Sequence, residues 1–329
     1  MKHDATTVAK QQSERQRIDV HAHWFPPELL AVAERLIDAD LARTTAGRAL
    51  GTDLDLAGMI QQLDTAGIDR QVLSPANVLP FAEDLDDARC AARETNDLYA
   101  DLVHRAPRRY AFFGVVPLPH VDPALAETAR CLDELGAVGL ALGCSVVGRE
   151  LDDPAFEPLW RELDRRAAVV FLHPVGRTGD ALRAYNLNWV VGAPFEDTLA
   201  VLRLVLSGIT TRHPAIRFVV PHMGGTIPFL LTRIDRATSV VARSPDVAVE
   251  LPVSRHLGAF VFDTSNRNPH ALRCAADVLG PERLVLGSDF PYSLDAALRE
   301  NVTYVAEVLG DTPATDDVLG GTAGRLLGL

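Results

Sequence analysis

The chain has 329 residues, 47% of them hydrophobic, and a formal net charge of −12. That content supports one large α/β core or two ordinary ones, and the negative balance speaks against nucleic acid as a partner. No apolar run reaches the ~20 residues of a membrane helix, so no membrane partner is expected.

Residues 1–17 are polar and lack the apolar centre of a signal peptide, and they are expected to form a disordered leader. From 18 onward, apolar β-branched runs alternate with amphipathic segments. The expected strands are 18–23, 70–75, 111–117, 138–143, 169–173, 216–222, 259–264 and 283–288. The expected helices are 55–67, 86–106, 122–135, 154–167, 195–212, 224–241, 269–279 and 294–309, with a closing helix over 313–329. Asp122-Pro123 and Asp153-Pro154 read as an N-cap followed by proline at the first helical position. Gly67 and Gly136 fit helix exits. Parallel strands need crossovers, and eight strand–helix units point to a (β/α)8 TIM-type barrel whose site lies at the strand C-termini. Residues 24–54 form a small insertion after the first strand. Residues 174–194 form a second long connection, of the kind that helps to build sites. No linker divides 18–329, which is expected to be a single domain.

The only lysines are Lys2 and Lys10, leaving 30 arginines among the 32 basic residues. A core Schiff-base lysine, a carbamylated bridging lysine and a P-loop lysine are therefore excluded. Cys90, Cys131, Cys144 and Cys274 are far apart and form no CxxC. They read as reduced, mostly buried thiols of a cytoplasmic protein.

Four of the apolar runs end in metal-binding side chains. Ile18-Asp19-Val20-His21-Ala22-His23 ends in a His-x-His whose two rings share one strand face. Val169-Val170-Phe171-Leu172 ends in His173, Phe218-Val219-Val220-Pro221 in His222, and Leu284-Val285-Leu286-Gly287-Ser288 in Asp289. Each alone has a structural reading, as a hydrogen-bonded histidine or a helix-capping aspartate. Together they fall at the ends of strands 1, 5, 6 and 8, which converge on one barrel rim. Three histidines and one aspartate suit a single divalent ion, zinc above all, with manganese or cobalt as alternatives.

These motifs resemble the amidohydrolase superfamily, within it the branch of aminocarboxymuconate semialdehyde decarboxylase and related metal-dependent decarboxylases. Val191–Thr198, Pro221-His222-Met223-Gly224-Gly225, Gly287-Ser288-Asp289-Phe290-Pro291 and the closing Gly320–Leu329 carry the likeness, except that Thr322 stands where the family usually has Asn. The resemblance implies His21, His23, His173 and Asp289 as metal ligands and His222 as the acid/base acting on water at the metal. It implies Trp189 and Arg233 as substrate contacts, with Arg233 reaching across a homodimer interface. The alternatives are a rim aromatic for Trp189 and a helix-surface ion pair with Asp235 or Asp197 for Arg233. A second carboxylate-binding arginine is Arg48, with Arg43 competing. Phe290 and Tyr292 form an aromatic wall or fill the core. The implied reaction is non-oxidative decarboxylation of a small unsaturated or aromatic carboxylic acid, assisted by Asp289 or His222. The alternatives are hydrolysis or hydration of a lactone, amide or enol acid on the same site, or a non-catalytic binding barrel.

Overall fold

A computed structural model describes residues 16–36, 54–75, 78–176, 180–241 and 246–329. Eight parallel strands follow one another around a single sheet in chain order. They are β1 (Ile18–His23), β2 (Arg70–Ser74), β3 (Tyr110–Gly114), β4 (Gly139–Gly143), β5 (Val169–His173), β6 (Arg217–Val220), β7 (Phe260–Asp263) and β8 (Leu284–Val285). The circle closes through irregular backbone bonds between the last strand and the first. Val20 N donates to Leu286 O (2.9 Å), Asp289 N to His21 O (2.8 Å) and His23 N to Phe290 O (2.7 Å). The expected (β/α)8 barrel is the fold.

Several strands end short of their expected limits, three of them for a visible local reason. β3 stops at Gly114 because Asn96 takes over both backbone groups of Val115, with its Oδ1 on the N–H (2.8 Å) and its Nδ2 on the carbonyl (2.9 Å). β6 stops before Pro221, which has no N–H to give. β8 stops at Val285 because the Leu286 N–H goes to Val318 O (2.8 Å) in the closing helical segment.

The crossover helices are α1 (Pro27–Leu36) in the first insertion, α2 (Leu56–Ala66), α3 (Leu85–Arg105), α4 (Val121–Ala129), α5 (Glu157–Arg165), α6 (Ala193–Leu206), α7 (Ile227–Arg236), α8 (Pro269–Leu279) and α9 (Asp295–Leu309). Asp55 and Asp84 cap α2 and α3 with their side chains, and Gly67 ends α2 at φ +71°. Asp153 caps the turn before α5 by accepting from Ala155 N, as expected. Asp122 does not cap α4: the helix begins one residue earlier, at Val121, and Asp122 lies inside its first turn. Helix 195–212 is broken by Gly208 at φ +79°, and helix 224–241 starts only after the left-handed Gly224 and Gly225. The closing helix runs over 313–327 with a wider π-helical turn at Asp317–Gly321. A hairpin, Ser145–Val146 with Arg149–Glu150, was not expected. Cys131 and Cys144 are buried, Cys274 is half-buried and Cys90 is exposed, so the thiols are less buried than expected.

The barrel interior is packed by Val20, Val72, Phe113, Ala141, Phe171 and Val219, with Phe113 and Phe171 stacked at 5.2 Å. Alternate residues such as Leu73, Phe112, Leu142, Leu172 and Val220 face the helices. Strand β1 departs from strict alternation. Asp19 pairs with Gln71 and Ala22 with Leu73, so Val20 and His21 together oppose Val72. This β-bulge resets the parity of the strand. Val20 packs in the interior, yet Ala22 packs outward, and His21 and His23 point in.

The closing segment seals the seam where β1 and β8 meet. Arg17, just before β1, is tied on the other side to the start of β2, its N–H donating to Asp69 Oδ2 (2.8 Å). A Cβ on Gly320 would lie 1.8 Å from Gln16 O. Gly320→Ala is therefore expected to destabilise the fold by ~1–3 kcal/mol through overpacking. Thermal and urea unfolding measure this, and an unchanged midpoint would show that the seam yields freely.

Candidate metal centre

His21, His23, His173 and Asp289 come together at the C-terminal rim of the barrel. His21 Nε2 lies 3.1 Å from His23 Nε2 and 3.3 Å from Asp289 Oδ1, and His23 Nε2 lies 3.2 Å from the same oxygen. The His173 ring is 4.9 Å from that of His23 and 5.5 Å from that of His21, edge to face. Ligand atoms of His21, His23 and His173 lie within 4.8 Å of one another, and so do those of His21, His222 and Asp289.

Each imidazole is oriented from behind. His21 Nδ1 donates to Asp263 Oδ2 (2.5 Å), His23 Nδ1 to the carbonyl of Ser74 (3.2 Å), His173 Nδ1 to Pro174 O (2.8 Å) and His222 Nδ1 to Asp197 Oδ2 (2.8 Å). Carbonyls and carboxylates only accept, so the Nδ1 atoms carry the protons and the Nε2 atoms are left as lone-pair donors. Two Nε2 atoms at 3.1 Å, buried beside a carboxylate, need a shared proton or a cation between them. Ligands about 2.0–2.1 Å from a tetrahedral ion stand roughly 3.3–3.4 Å apart, close to the spacings here. The donor set fits one divalent ion.

Electrostatics agree for His173 and Asp289, whereas His21, caught between two carboxylates, favours a second proton where no cation stands in its place. Burial, reinforced by the neighbouring His23, His21 and His222, keeps the His173 imidazole well below its ordinary pKa, hence neutral as a ligand must be. Burial would raise the Asp289 carboxyl, but His21 and His23 prevail and hold it well below the usual range. Burial opposes the charged form of His21, yet Asp263 and Asp289 together lift it. Asp19, beneath the site, is pushed up to about 6 by burial despite hydrogen bonds from Ser288 and Gln71. It accepts from Ser288 N (2.9 Å) and His21 N (3.1 Å), tying the Asp289 turn to β1.

Two site residues sit in left-handed backbone, His222 at φ +52° and Asp289 at φ +56°. Such conformations cost on the order of 1–3 kcal/mol each and persist only where the surroundings impose them. The floor of the site is closed: His21 and His23 are fully buried and His173 nearly so. The mouth is formed by His222 and Asp289, whose side chains are 20% and 28% exposed.

The remaining expected residues fall in different places. Trp189 is half-buried and covers Gly176, three residues past His173, where a Cβ would meet its ring at 2.4 Å. Phe290 is buried in the core between barrel and helices, whereas the Tyr292 ring faces those of His23 (6.3 Å) and Phe25 (6.4 Å). Arg233 is exposed on α7 and makes no ion pair among the described residues. Asp235 instead accepts from Ser254 N, and Asp197 is buried against His222. Arg48 and Arg43 lie outside the described residues. Asp263, Ser74 and Asp197 were missed as supporting residues. Asp263 and Ser74 also end apolar strand runs, so the signal that found the ligands was present for them.

A parallel barrel with three histidines and one aspartate at its rim defines a metal-dependent enzyme of the amidohydrolase type. The sequence model described as amidohydrolase matches residues 18–329, and the chain belongs to that family. It is 29% identical to 2-amino-3-carboxymuconate-6-semialdehyde decarboxylase of Dictyostelium discoideum, over 95% of this chain and 92% of that protein. It is 31% identical to the 6-methylsalicylic acid decarboxylase acuB of Aspergillus aculeatus, over 90% and 91%. The solved 5-carboxyvanillate decarboxylase LigW from Sphingomonas paucimobilis superposes with a TM-score of 0.84 at 25% identity, over 96% of this chain and all of that one.

His173→Ala and Asp289→Ala are expected to abolish tight metal binding. Asp263→Asn, which removes only an orienting charge, should weaken it ~10–100-fold. Competition with a chromogenic chelator measures both, and wild-type affinity in Asp263→Asn would remove Asp263 from the site.

Proposed function

We propose that the chain is a metal-dependent, non-oxidative decarboxylase of a small unsaturated or aromatic carboxylic acid. The observation that carries this is the mouth of the site, where an imidazole held at Nδ1, His222, and an ionised carboxylate, Asp289, stand beside one cation position. Decarboxylation without an oxidant needs a cation for the substrate's negative charge and a group that can pass a proton. The bond between carbon and carboxylate breaks, its electrons stay on carbon, and a proton must arrive there as carbon dioxide leaves.

A divalent ion held by His21, His23, His173 and Asp289 would supply positive charge for anionic substrate oxygens and lower the pKa of a water from ~15.7 to about 7. Zinc suits three imidazoles and a carboxylate, with manganese and cobalt as the other candidates. His222 moves a proton at Nε2, and Asp289, as an ionised carboxylate beside it, orients the substrate or takes up a proton in passing it on. Trp189 and Tyr292 wall the substrate, and Arg233 with a loop arginine such as Arg48 grips its carboxylate.

The working unit is a homodimer in which Arg233 reaches the partner's site. Support comes from the exposed apolar residues Val190, Phe195, Leu199 and Phe229, the last 83% exposed and one helical turn before Arg233. The starts of α6 and α7 are joined by the Thr198 and Thr226 hydroxyls at 3.0 Å, so these residues lie on neighbouring elements. No helix among the described residues is long and apolar enough to cross a membrane. The four free cysteines suit a cytoplasmic location.

Incubation of metal-loaded protein with aromatic and muconate-type acids should release carbon dioxide with no net uptake of water. A product heavier by one water, with no gas evolved, would instead support the hydrolase or hydratase reading. His222→Ala is expected to keep its metal and lose turnover ~10²–10⁴-fold. Arg233→Ala should raise KM, and mixed dimers with His222→Ala should regain part of the activity. Absence of rescue would place Arg233 outside the partner's site.

A further inference from the structure

We propose that Asp197 is the positioning residue that fixes which nitrogen of His222 meets the reacting atoms, holding Nδ1 so that Nε2 is the one turned to the site. Its consequence for turnover rests on the decarboxylase reading, but its geometry does not.

Asp197 is fully buried in the second turn of α6 and, among the described residues, belongs to neither candidate metal-ligand group. Its Oδ2 receives His222 Nδ1 at 2.8 Å, and the Cys144 thiol points at its Oδ1 at 3.7 Å. A buried carboxylate accepts and does not donate, so the proton of the pair sits on Nδ1. The lone pair is then on Nε2, on the side of His21 and Asp289. When Nε2 takes a proton, the resulting imidazolium already faces a counter-charge. This is the role an aspartate plays behind a catalytic histidine in acyl transfer.

The turn bearing His222 leaves this task to α6. His222 and Met223 are both left-handed, and Gly225 follows at φ +63°. A Cβ on Gly225 would lie 1.8 Å from Pro194 O, so no side chain at that position can reach back to the imidazole. Thr198 Oγ1 accepts from Thr226 N at 2.8 Å. Pro194, Asp197 and Thr198 share one helix face, spaced three and four apart. That face supports the turn through backbone contacts and orients its histidine through one carboxylate.

The test uses zinc-loaded, ¹⁵N-histidine-labelled full-length protein, with His222→Gln to assign the His222 signals. Long-range ¹H–¹⁵N spectra should show Nδ1 protonated and Nε2 pyridine-like in the wild type. Asp197→Asn, which keeps the side-chain shape, and Asp197→Ala should both lose that single tautomer while keeping their zinc. With a decarboxylated substrate, kcat should fall ~10²–10⁴-fold and KM should stay within about threefold. A proton found on Nε2 in the wild type, an unchanged tautomer in both variants, or parallel loss of zinc and turnover would overturn the proposal. If no acid is decarboxylated but the tautomer responds, the decarboxylase reading fails and the positioning role of Asp197 stands.

Discussion

Four imidazoles whose Nδ1 atoms are all held by acceptors must turn their Nε2 atoms toward one shared position. Asp263, Ser74, Pro174 and Asp197 impose this on His21, His23, His173 and His222. Three of the rings are almost fully buried, where an unpaired polar atom costs several kcal/mol. The rim is thus suited to a cation, which would relieve all of its Nε2 atoms at once. The strained turns at His222 and Asp289 and the buried Asp19 under the last strand keep the donors in register around that position.

The β1 bulge is what lets this happen. With regular alternation, the strand that puts Ile18 and Val20 into the barrel would turn His21 and His23 toward the helices. The extra residue opposite Val72 returns both rings to the interior after Val20 has filled it. Core packing and metal binding then share one short strand, the apolar part below and the ligands above.

The ligands were legible because strand ends are where a polar residue after an apolar run needs a reason. His21, His23, His173, His222 and Asp289 all declared themselves in this way. Asp263 and Ser74 gave the same signal in weaker form, since an aspartate or serine at a strand end also reads as an ordinary turn residue. Asp197 was not legible: its helix looks amphipathic, and its burial depends on how α6 meets the turn after β6. The bulge was hidden too, because a spacing of two puts both histidines on one face whichever face that is. Helix limits failed where a left-handed glycine intervened, at Gly208 and at Gly224 and Gly225. Barrel order survived these local errors because each strand needs only its neighbour in sequence as its neighbour in space.

The ligands from β1 and the carboxylate after β8 meet across the seam that closes the barrel. That seam is held by irregular backbone bonds and by a carbonyl from the closing helix, not by a full ladder. A cation bound by His21, His23 and Asp289 would therefore act as a clasp on the first and last staves of the barrel. Anything that parts those staves would spread these side chains, so the site and the closed ring would stand or fall together.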